Sequence, residues 1–139
     1  MTDHRLVELP NIVDGEGFCS CGCGKDSTPE LLITLQASVF LMARERGKRI
    51  RVFWYGARCQ AKNQATRGHA DRSLHLDGEA ADTHWEEYDG ARWVKIPSQT
   101  VAAIMVGSGL WGGVGWKKYE NTTKHTHLDL RDGKNPVIW

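Results

Sequence analysis

A chain of 139 residues is long enough for one domain with a hydrophobic core and too short for two domains of ordinary size. Its 40% hydrophobic and 25% charged residues exclude a disordered or collagen-like protein. A formal net charge of +1 argues against a protein that mainly neutralises nucleic-acid phosphates, so we expect no nucleic-acid partner.

The sequence contains no apparent membrane or secretory segment. Its most apolar run, residues 101–106, is far shorter than the roughly 20 residues that cross a bilayer. Residues 1–10 carry Asp3, Arg5 and Glu8 and have no apolar stretch typical of a signal peptide. We therefore expect synthesis in the cytoplasm and no membrane insertion.

The first predicted elements follow an irregular segment, residues 1–24. Ser27 and Glu30 have capping-box spacing, and Pro29 suits the first turn of a helix. The helix would end near Gly47, and its apolar stripe consists of Leu31, Leu32, Leu35, Val39 and Met42. Residues 49–55 are rich in β-formers and predict a strand.

Two hairpins, a short helix and a last strand are predicted next. The hairpins would turn at Asp77-Gly78 and at Asp89-Gly90, because Asp-Gly favours two-residue turns. Ser98 could cap a helix through residue 105, ended by the glycines at 107 and 109, and residues 125–130 would form the last strand. We expect one small α+β domain over residues 1–139, with an antiparallel sheet and helices packed on one side.

Two segments carry side chains that could bind a metal. With a turn at Asp77-Gly78, His75 would lie opposite Ala80, and Asp82 would share its face as a diagonal neighbour. On the last strand, His125, His127 and Asp129 would share one face. Two histidines and one aspartate with an open fourth position are typical of a catalytic zinc site.

The motif Ser73-x-His75-x-x-Gly78-x-x-x-Asp82, followed by His125-x-His127-x-Asp129, resembles the zinc D-Ala-D-Ala carboxypeptidase family. That family includes phage L-alanyl-D-glutamate endopeptidases (endolysins) and D,D-dipeptidases, and is structurally akin to the hedgehog signalling domain. The resemblance runs from about residue 18 to residue 131. It also includes Tyr55-Gly-Ala-Arg58-Cys59 with Asn63, Phe18-Cys19-x-Cys21, and Gly112-Gly113-Val-Gly115.

The resemblance implies zinc ligation by His75, Asp82 and His127. It further implies that Arg58 and Ser73 contact substrate, with the guanidinium of Arg58 holding a carboxylate or carbonyl. Lys124 stands where many relatives carry the general base, so the base is predicted to be His125 or Glu120. Asp129 would orient His127 by a hydrogen bond, and Trp111 and Trp116 would line the substrate groove.

The four cysteines leave three alternatives open. Cys19, Cys21 and Cys23 alternate along the chain, and Cys59 lies in the Arg58 segment. Their spacing departs from the usual Cys-x2-Cys knuckle, so buried free thiols are favoured over a second, structural zinc or a disulfide to Cys59.

These features predict a zinc-dependent peptidase, monomeric, acting on the peptide stem of bacterial peptidoglycan. A lone catalytic domain without a signal is typical of a phage or prophage endolysin that reaches the wall or periplasm through a holin pore, and L-Ala-D-Glu endopeptidase cleavage is expected. The alternatives are a D,D-carboxypeptidase or dipeptidase of the same family, and a non-catalytic zinc-containing module that binds the cell wall or has a structural role.

Overall fold

The computed structural model describes residues 27–56, 74–116, 125–132 and 136–139. Within these ranges the chain forms two α-helices, α1 (Pro29–Arg46) and α2 (Ser98–Ser108), and one 3-10 turn, Leu74–Asp77. It also forms six strands, which are β1 (Ile50–Tyr55), β2 (Ala80–Tyr88), β3 (Trp93–Lys95), β4 (Gly113–Gly115), β5 (Thr126–Asp129) and β6 (Val137–Ile138). The predicted small α+β domain is confirmed.

A capping residue determines each end of helix α1. Its N-cap is Thr28, whose hydroxyl accepts the backbone N–H of Leu31 at 3.3 Å, so the predicted cap at Ser27 was wrong. The reason is Pro29, which occupies the first helical position and leaves the cap to the residue before it. The predicted end is confirmed, because Gly47 closes the helix in the left-handed conformation at φ 64°.

Strand β2 pairs with three of the other five strands of a six-stranded sheet. β1 pairs antiparallel with one edge of β2, and β5 and β3 pair antiparallel with different stretches of the other edge. Beyond β5, β4 pairs antiparallel and β6 then pairs with β4 in parallel. The sheet is therefore mixed, and the prediction of a purely antiparallel sheet was wrong at β6.

One face of the sheet forms the hydrophobic core together with both helices. All five residues of the apolar stripe predicted for α1 are buried there. The strands contribute the residues of their inward face, namely Ile50, Val52, Trp54, Ala81, Trp85, Val114 and Leu128, and α2 contributes Val101, Ala102 and Met105. Because side chains alternate along a strand, the residues between these point to the opposite face. The helices thus lie on one side, as predicted.

The predicted hairpin joins β2 to β3, but Tyr88 pairs with Trp93, so residues 89–92 separate the two strands instead of the predicted two-residue turn at Asp89-Gly90. The Asp89 carboxylate accepts the backbone N–H groups of Ala91 and Arg92 at 2.8 and 2.9 Å, which stabilises the turn. Helix α2 follows, but its N-cap is Pro97 and no side chain caps it, so the predicted cap at Ser98 was wrong.

Helix α2 also continues further than predicted. It runs through Gly107 to Ser108 and stops at Gly109, which has the positive φ of 71° that favours glycine. No helix in the described ranges has both the length and the apolarity that a bilayer crossing requires.

Candidate metal centre

The pairing of β2 with β5 brings Asp82 and His127 together. The two residues are direct partners in the antiparallel register, so their side chains project from the same face of the sheet. That face is opposite the helices, because the neighbouring pair Ala81 and Leu128 lies in the core. Residues 45 positions apart in sequence are thereby held with His127 Nδ1 3.0 Å from Asp82 Oδ1.

His75 reaches the same point from the 3-10 turn. The predicted hairpin at Asp77-Gly78 was wrong: Leu74–Asp77 is helical, and Gly78, at φ 70°, redirects the chain into β2. Asp82 already pairs with Tyr55 on one side and His127 on the other, so at this position no edge of β2 remains for the other strand of the predicted hairpin. The reversal nevertheless places His75 Nε2 3.4 Å from Asp82 Oδ1.

The orientation of the His75 ring is set by its other nitrogen. Nδ1 lies 2.7 Å from the carbonyl oxygen of Gly56, which can only accept a hydrogen bond. Nδ1 therefore donates to that carbonyl, and Nε2 is the ring nitrogen that faces Asp82. A carbonyl partner on the far nitrogen is a common way to orient a metal-binding histidine.

His127 is oriented by a carboxylate instead. Its Nε2 lies 2.9 Å from Oδ2 of Asp129, which is fully buried, and its Nδ1 faces Asp82. The ring also meets that of His75 edge-on, with centroids 5.2 Å apart. Asp129 thus makes the hydrogen bond to His127 that was predicted for it, and Nδ1 is the nitrogen available to a metal.

The electrostatics of the centre favour positive charge between the side chains. Burial alone would raise the pKa of Asp82, but hydrogen bonding to His125, His127 and His75 outweighs burial and holds that pKa well below its usual range. Burial acts to lower the pKa of His127, but hydrogen bonds to Asp129 and Asp82 prevail and raise it. Positive charge, from either a proton or a metal cation, therefore stabilises the Asp82 carboxylate beside these imidazole nitrogens.

His125 lies at the more open side of this group. Its Nε2 is 3.4 Å from Asp82 Oδ1, and its side chain is 17% exposed, whereas the side chain of His75 is 2% exposed. The placement of His125 and His127 on one face agrees with the strand pattern. His125 is therefore close to the cluster and more accessible than the deepest member.

The three predicted ligands could hold a metal ion. One donor atom from each of His75, Asp82 and His127 can be chosen so that all three lie within 4.8 Å of one another. Two imidazole nitrogens and a carboxylate oxygen at such separations can converge on one divalent cation. The structure brings these residues together although the hairpin used to predict their proximity does not form.

The tryptophans are placed differently from the prediction. Trp111 is 2% exposed, lies in the core and donates its Nε1–H to the hydroxyl of Ser38 at 2.8 Å, so its predicted place in a substrate groove was wrong. Trp116 is half-buried against the core, and its predicted contact with substrate stays a prediction. The indole beside the centre is Trp139, whose ring centroid is 5.2 Å from that of His127.

Sequence reasoning also missed Arg131, which binds the carboxylate of Asp129 with Nε and Nη2 at 2.9 and 2.6 Å. Strand alternation could have indicated Arg131, two positions after Asp129 on the same face. No local pattern connects residue 139 to His127, because that contact depends on the pairing of β6 with β4.

Several predicted residues lie outside the described part of the chain. They are Arg58 and Ser73, predicted to contact substrate, Glu120, the alternative base, and the four cysteines Cys19, Cys21, Cys23 and Cys59. Lys124 lies outside it as well. Their roles remain predictions from the sequence.

Comparison with known proteins identifies no family. No protein-family model matches the chain, and a search of curated proteins yields no significant match.

Proposed function

We propose that this chain is a zinc-dependent peptidase that cleaves the peptide stem of bacterial peptidoglycan. The observation that carries the proposal is the convergence of His75, Asp82 and His127 on the face of the sheet opposite the helices. The resemblance of these residues and their spacing to the zinc D-Ala-D-Ala carboxypeptidase family supports the substrate class. Endolysin-type L-Ala-D-Glu endopeptidase activity, with release through a holin pore, is the form of the proposal that this resemblance favours.

Zinc fits the donor set of this centre. Imidazole nitrogen and carboxylate oxygen are both common zinc ligands, and three protein ligands are the number found in catalytic zinc sites. The hydrogen bonds of His75 to Gly56 and of His127 to Asp129 leave one nitrogen of each ring to the metal. When bound, zinc supplies a Lewis acid that polarises a scissile carbonyl and lowers the pKa of water.

His125 is the proposed general base. An imidazole can accept and release a proton near neutral pH, and this one lies beside Asp82 on the more exposed side of the centre. It would take a proton from the attacking water and pass it to the nitrogen of the leaving amine. Glu120 is the alternative base.

Tyr55 is placed to meet a substrate that approaches the centre. It is the direct cross-strand partner of Asp82, so both side chains project from the same face, and Tyr55 is 63% exposed. Its ring offers both an apolar surface and a hydroxyl for hydrogen bonding. Arg58, three positions further along the chain, would hold a substrate carboxylate.

A non-catalytic zinc module is the second candidate. Lys124 at the usual position of the base favours it, since a lysine there would be a poor proton acceptor at neutral pH. Such a module would keep the metal without hydrolysing peptide bonds, so metal binding and hydrolysis must be measured separately.

The test uses the purified chain on Gram-negative cells with a permeabilised outer membrane. We expect the turbidity to fall, a chelator to abolish the effect, and added zinc to restore it. His75→Ala should lose both zinc and lysis, because it removes a ligand. The matched control is His84→Ala, since His84 lies on β2 but pairs with Glu86 at 3.2 Å and does not belong to the candidate metal group.

Lysis that persists in metal-free protein would contradict the mechanism, and zinc binding without lysis would favour the non-catalytic module. Mass spectrometry of the released muropeptides then identifies the bond that is cut. New L-alanine carboxyl ends indicate the endopeptidase, and loss of terminal D-alanine indicates the D,D-carboxypeptidase.

A further inference from the structure

We infer that Arg131 and Trp139 are positioning residues for the ligand histidine His127, and that they raise the affinity of the centre for its metal. Arg131 acts through Asp129, and Trp139 acts by direct contact with the imidazole ring. This inference rests on the metal-binding part of the proposed function and is independent of peptidase activity.

Arg131 binds the carboxylate of Asp129 with both its side chain and its backbone. Nε and Nη2 of the guanidinium bind different oxygens of the carboxylate, at 2.9 and 2.6 Å, and the backbone N–H of Arg131 adds a third contact at 3.2 Å. Paired N–H groups in one plane fix the orientation of the carboxylate as well as its position. A fully buried carboxylate also requires this compensation for its charge.

The second step is the transfer of that orientation to the ligand. Asp129 Oδ2, one of the two oxygens held by Arg131, lies 2.9 Å from Nε2 of His127. An imidazole held at one nitrogen by a fixed carboxylate has its plane and its other nitrogen fixed too. That other nitrogen, Nδ1, faces Asp82 at 3.0 Å. Through Asp129, the guanidinium thus sets the direction of the metal-facing nitrogen of His127.

Trp139 constrains the same two side chains from one side. Its ring centroid is 5.2 Å from the ring of His127, and the guanidinium of Arg131 lies 4.6 Å from the centroid of its indole. Backbone hydrogen bonds hold Trp139 in place, with its N–H donating to Val114 at 3.1 Å and its carbonyl accepting from Trp116 at 2.7 Å. The indole therefore restricts rotation of the imidazole and limits the access of water to it.

The glycines of strand β4 leave space for the side chains of Asp129, Arg131 and Trp139. A Cβ at Gly113 would lie 2.6 Å from Asp129 Oδ2 and 2.7 Å from Arg131 Nε. A Cβ at Gly115 would lie 2.6–2.9 Å from atoms of the Trp139 indole. Any side chain at either position would displace the carboxylate, the guanidinium or the indole.

A second arginine pair on the other face provides the matched control. Arg46 Nε and Nη2 bind the two oxygens of Glu87 at 2.9 and 3.0 Å, which is the same arrangement that Arg131 makes with Asp129. Glu87, however, lies on the helix-covered face of β2, because Trp85 of that face is two positions away. Loss of the Arg46 pair should weaken the fold without changing the orientation of His127.

The experiment compares Arg131→Met, Arg131→Lys, Trp139→Ala, Trp139→Phe and Arg46→Met with the unmodified chain. Zinc affinity is measured by competition with a chromogenic chelator, ligand geometry by the visible absorption of the cobalt(II) form, and stability by urea unfolding of the metal-free protein. Arg131→Met should weaken zinc binding by about 10- to 100-fold, the usual effect of removing a residue that orients a ligand. Arg131→Lys should recover part of the loss, since it keeps the charge but not the paired geometry.

Trp139→Ala should also weaken zinc binding and shift the cobalt absorption, while Trp139→Phe, which keeps an aromatic ring, should do so less. Arg46→Met should lower stability and leave both metal readouts unchanged. Equal zinc affinity and cobalt spectra for the unmodified chain, Arg131→Met and Trp139→Ala would overturn the inference alone. Absence of zinc binding by the unmodified chain would overturn the proposed function with it. If Arg131→Met fails to fold, Arg131→Lys and Trp139→Phe decide the same question.

Discussion

At the scale of single residues, the centre depends on which nitrogen of each histidine is already engaged. Gly56 takes the Nδ1–H of His75 and Asp129 binds Nε2 of His127, so the two rings present opposite nitrogens to Asp82. The choice at His75 depends on Gly56, 19 positions away in the chain, whereas the partner of His127 lies on the same strand and was predicted from the sequence. The identity of the three candidate ligands, by contrast, follows from the motif itself.

The glycines provide a residue-scale prediction. Gly113→Ala should destabilise the protein by about 1–3 kcal/mol, the usual cost of inserting a methyl group into a filled space. Its Cβ would meet the Asp129 carboxylate, so zinc affinity should fall as well. Urea unfolding and chelator competition measure the two effects.

Gly107→Ala is the control for that substitution. Gly107 lies within α2, and no heavy atom lies within 4 Å of an added Cβ, so the change should stabilise the helix by about 0.5–1 kcal/mol. Equal effects of the two substitutions on zinc affinity would show that the space at Gly113 is unimportant for the centre.

At the scale of the elements, an ion-pair cluster joins the end of α1 to β2. Glu87 is nearly buried and binds Arg46, with Lys48 at 3.4 Å from its second oxygen. Hydrogen bonding to Arg46 lowers the pKa of Glu87 from its usual value, against the opposing effect of burial. The folded state therefore favours the ionised carboxylate.

This direction predicts a pH dependence. A carboxyl group with a lowered pKa in the folded state stabilises the protein above its unfolded pKa, about 4.3 for Glu, and loses that effect as the pH falls through the folded value. Glu87→Gln should cost about 1–2 kcal/mol at pH 7, since the hydrogen bonds lost are to charged groups on a partly exposed partner. At pH 3 the deficit should shrink.

Urea unfolding at the two pH values measures this difference. Glu45→Gln, a change at an exposed position of the same helix, should have little effect at either pH. A deficit for Glu87→Gln that is equal at pH 7 and pH 3 would contradict the assignment.

At the scale of the whole molecule, the two faces of the sheet have different roles. The helices and the inward face of the strands form the core, while the opposite face carries the candidate metal centre. Alternation along β2 and β5 connects the two faces. Ala81 and Leu128 lie in the core, and their neighbours in sequence, Asp82 and His127, project from the opposite face. The sheet therefore fixes the relative positions of Asp82 and His127.

A bound metal should in turn stabilise the whole fold. A ligand that binds only the folded state at 100 times its dissociation constant adds about 2.7 kcal/mol to the free energy of unfolding. We expect buffered zinc to raise the stability of the unmodified chain by an amount of this order, and a chelator to reverse it. Urea unfolding in both conditions measures the change.

Asp82→Asn is the control, since an amide is a weaker zinc ligand than a carboxylate and most of the zinc effect should disappear. Any zinc bound by the cysteines would stabilise both proteins equally. An identical response of the two proteins would place the metal elsewhere.

Much of this architecture was predictable from local signals. The apolar stripe of α1, the β-formers of β1, the Asp-Gly turn before β3 and the left-handed glycine after α1 each act over a few residues, where propensity and turn chemistry dominate. The short strands β4 and β6 gave no such signal. Glycine is a weak strand former, and a two-residue strand is too short for a pattern.

The chain alone determined which side chains belong to the centre, because their chemical types and spacing are local properties. Their convergence was decided by tertiary structure: the register of β2 against β5 spans 45 residues, and occupation of both edges of β2 at Asp82 excluded the predicted hairpin. The contact between the rings of Trp139 and His127 likewise required β6 to pair with β4. Such long-range pairings depend on which strand edges remain available once the sheet forms, and no local sequence pattern encodes that.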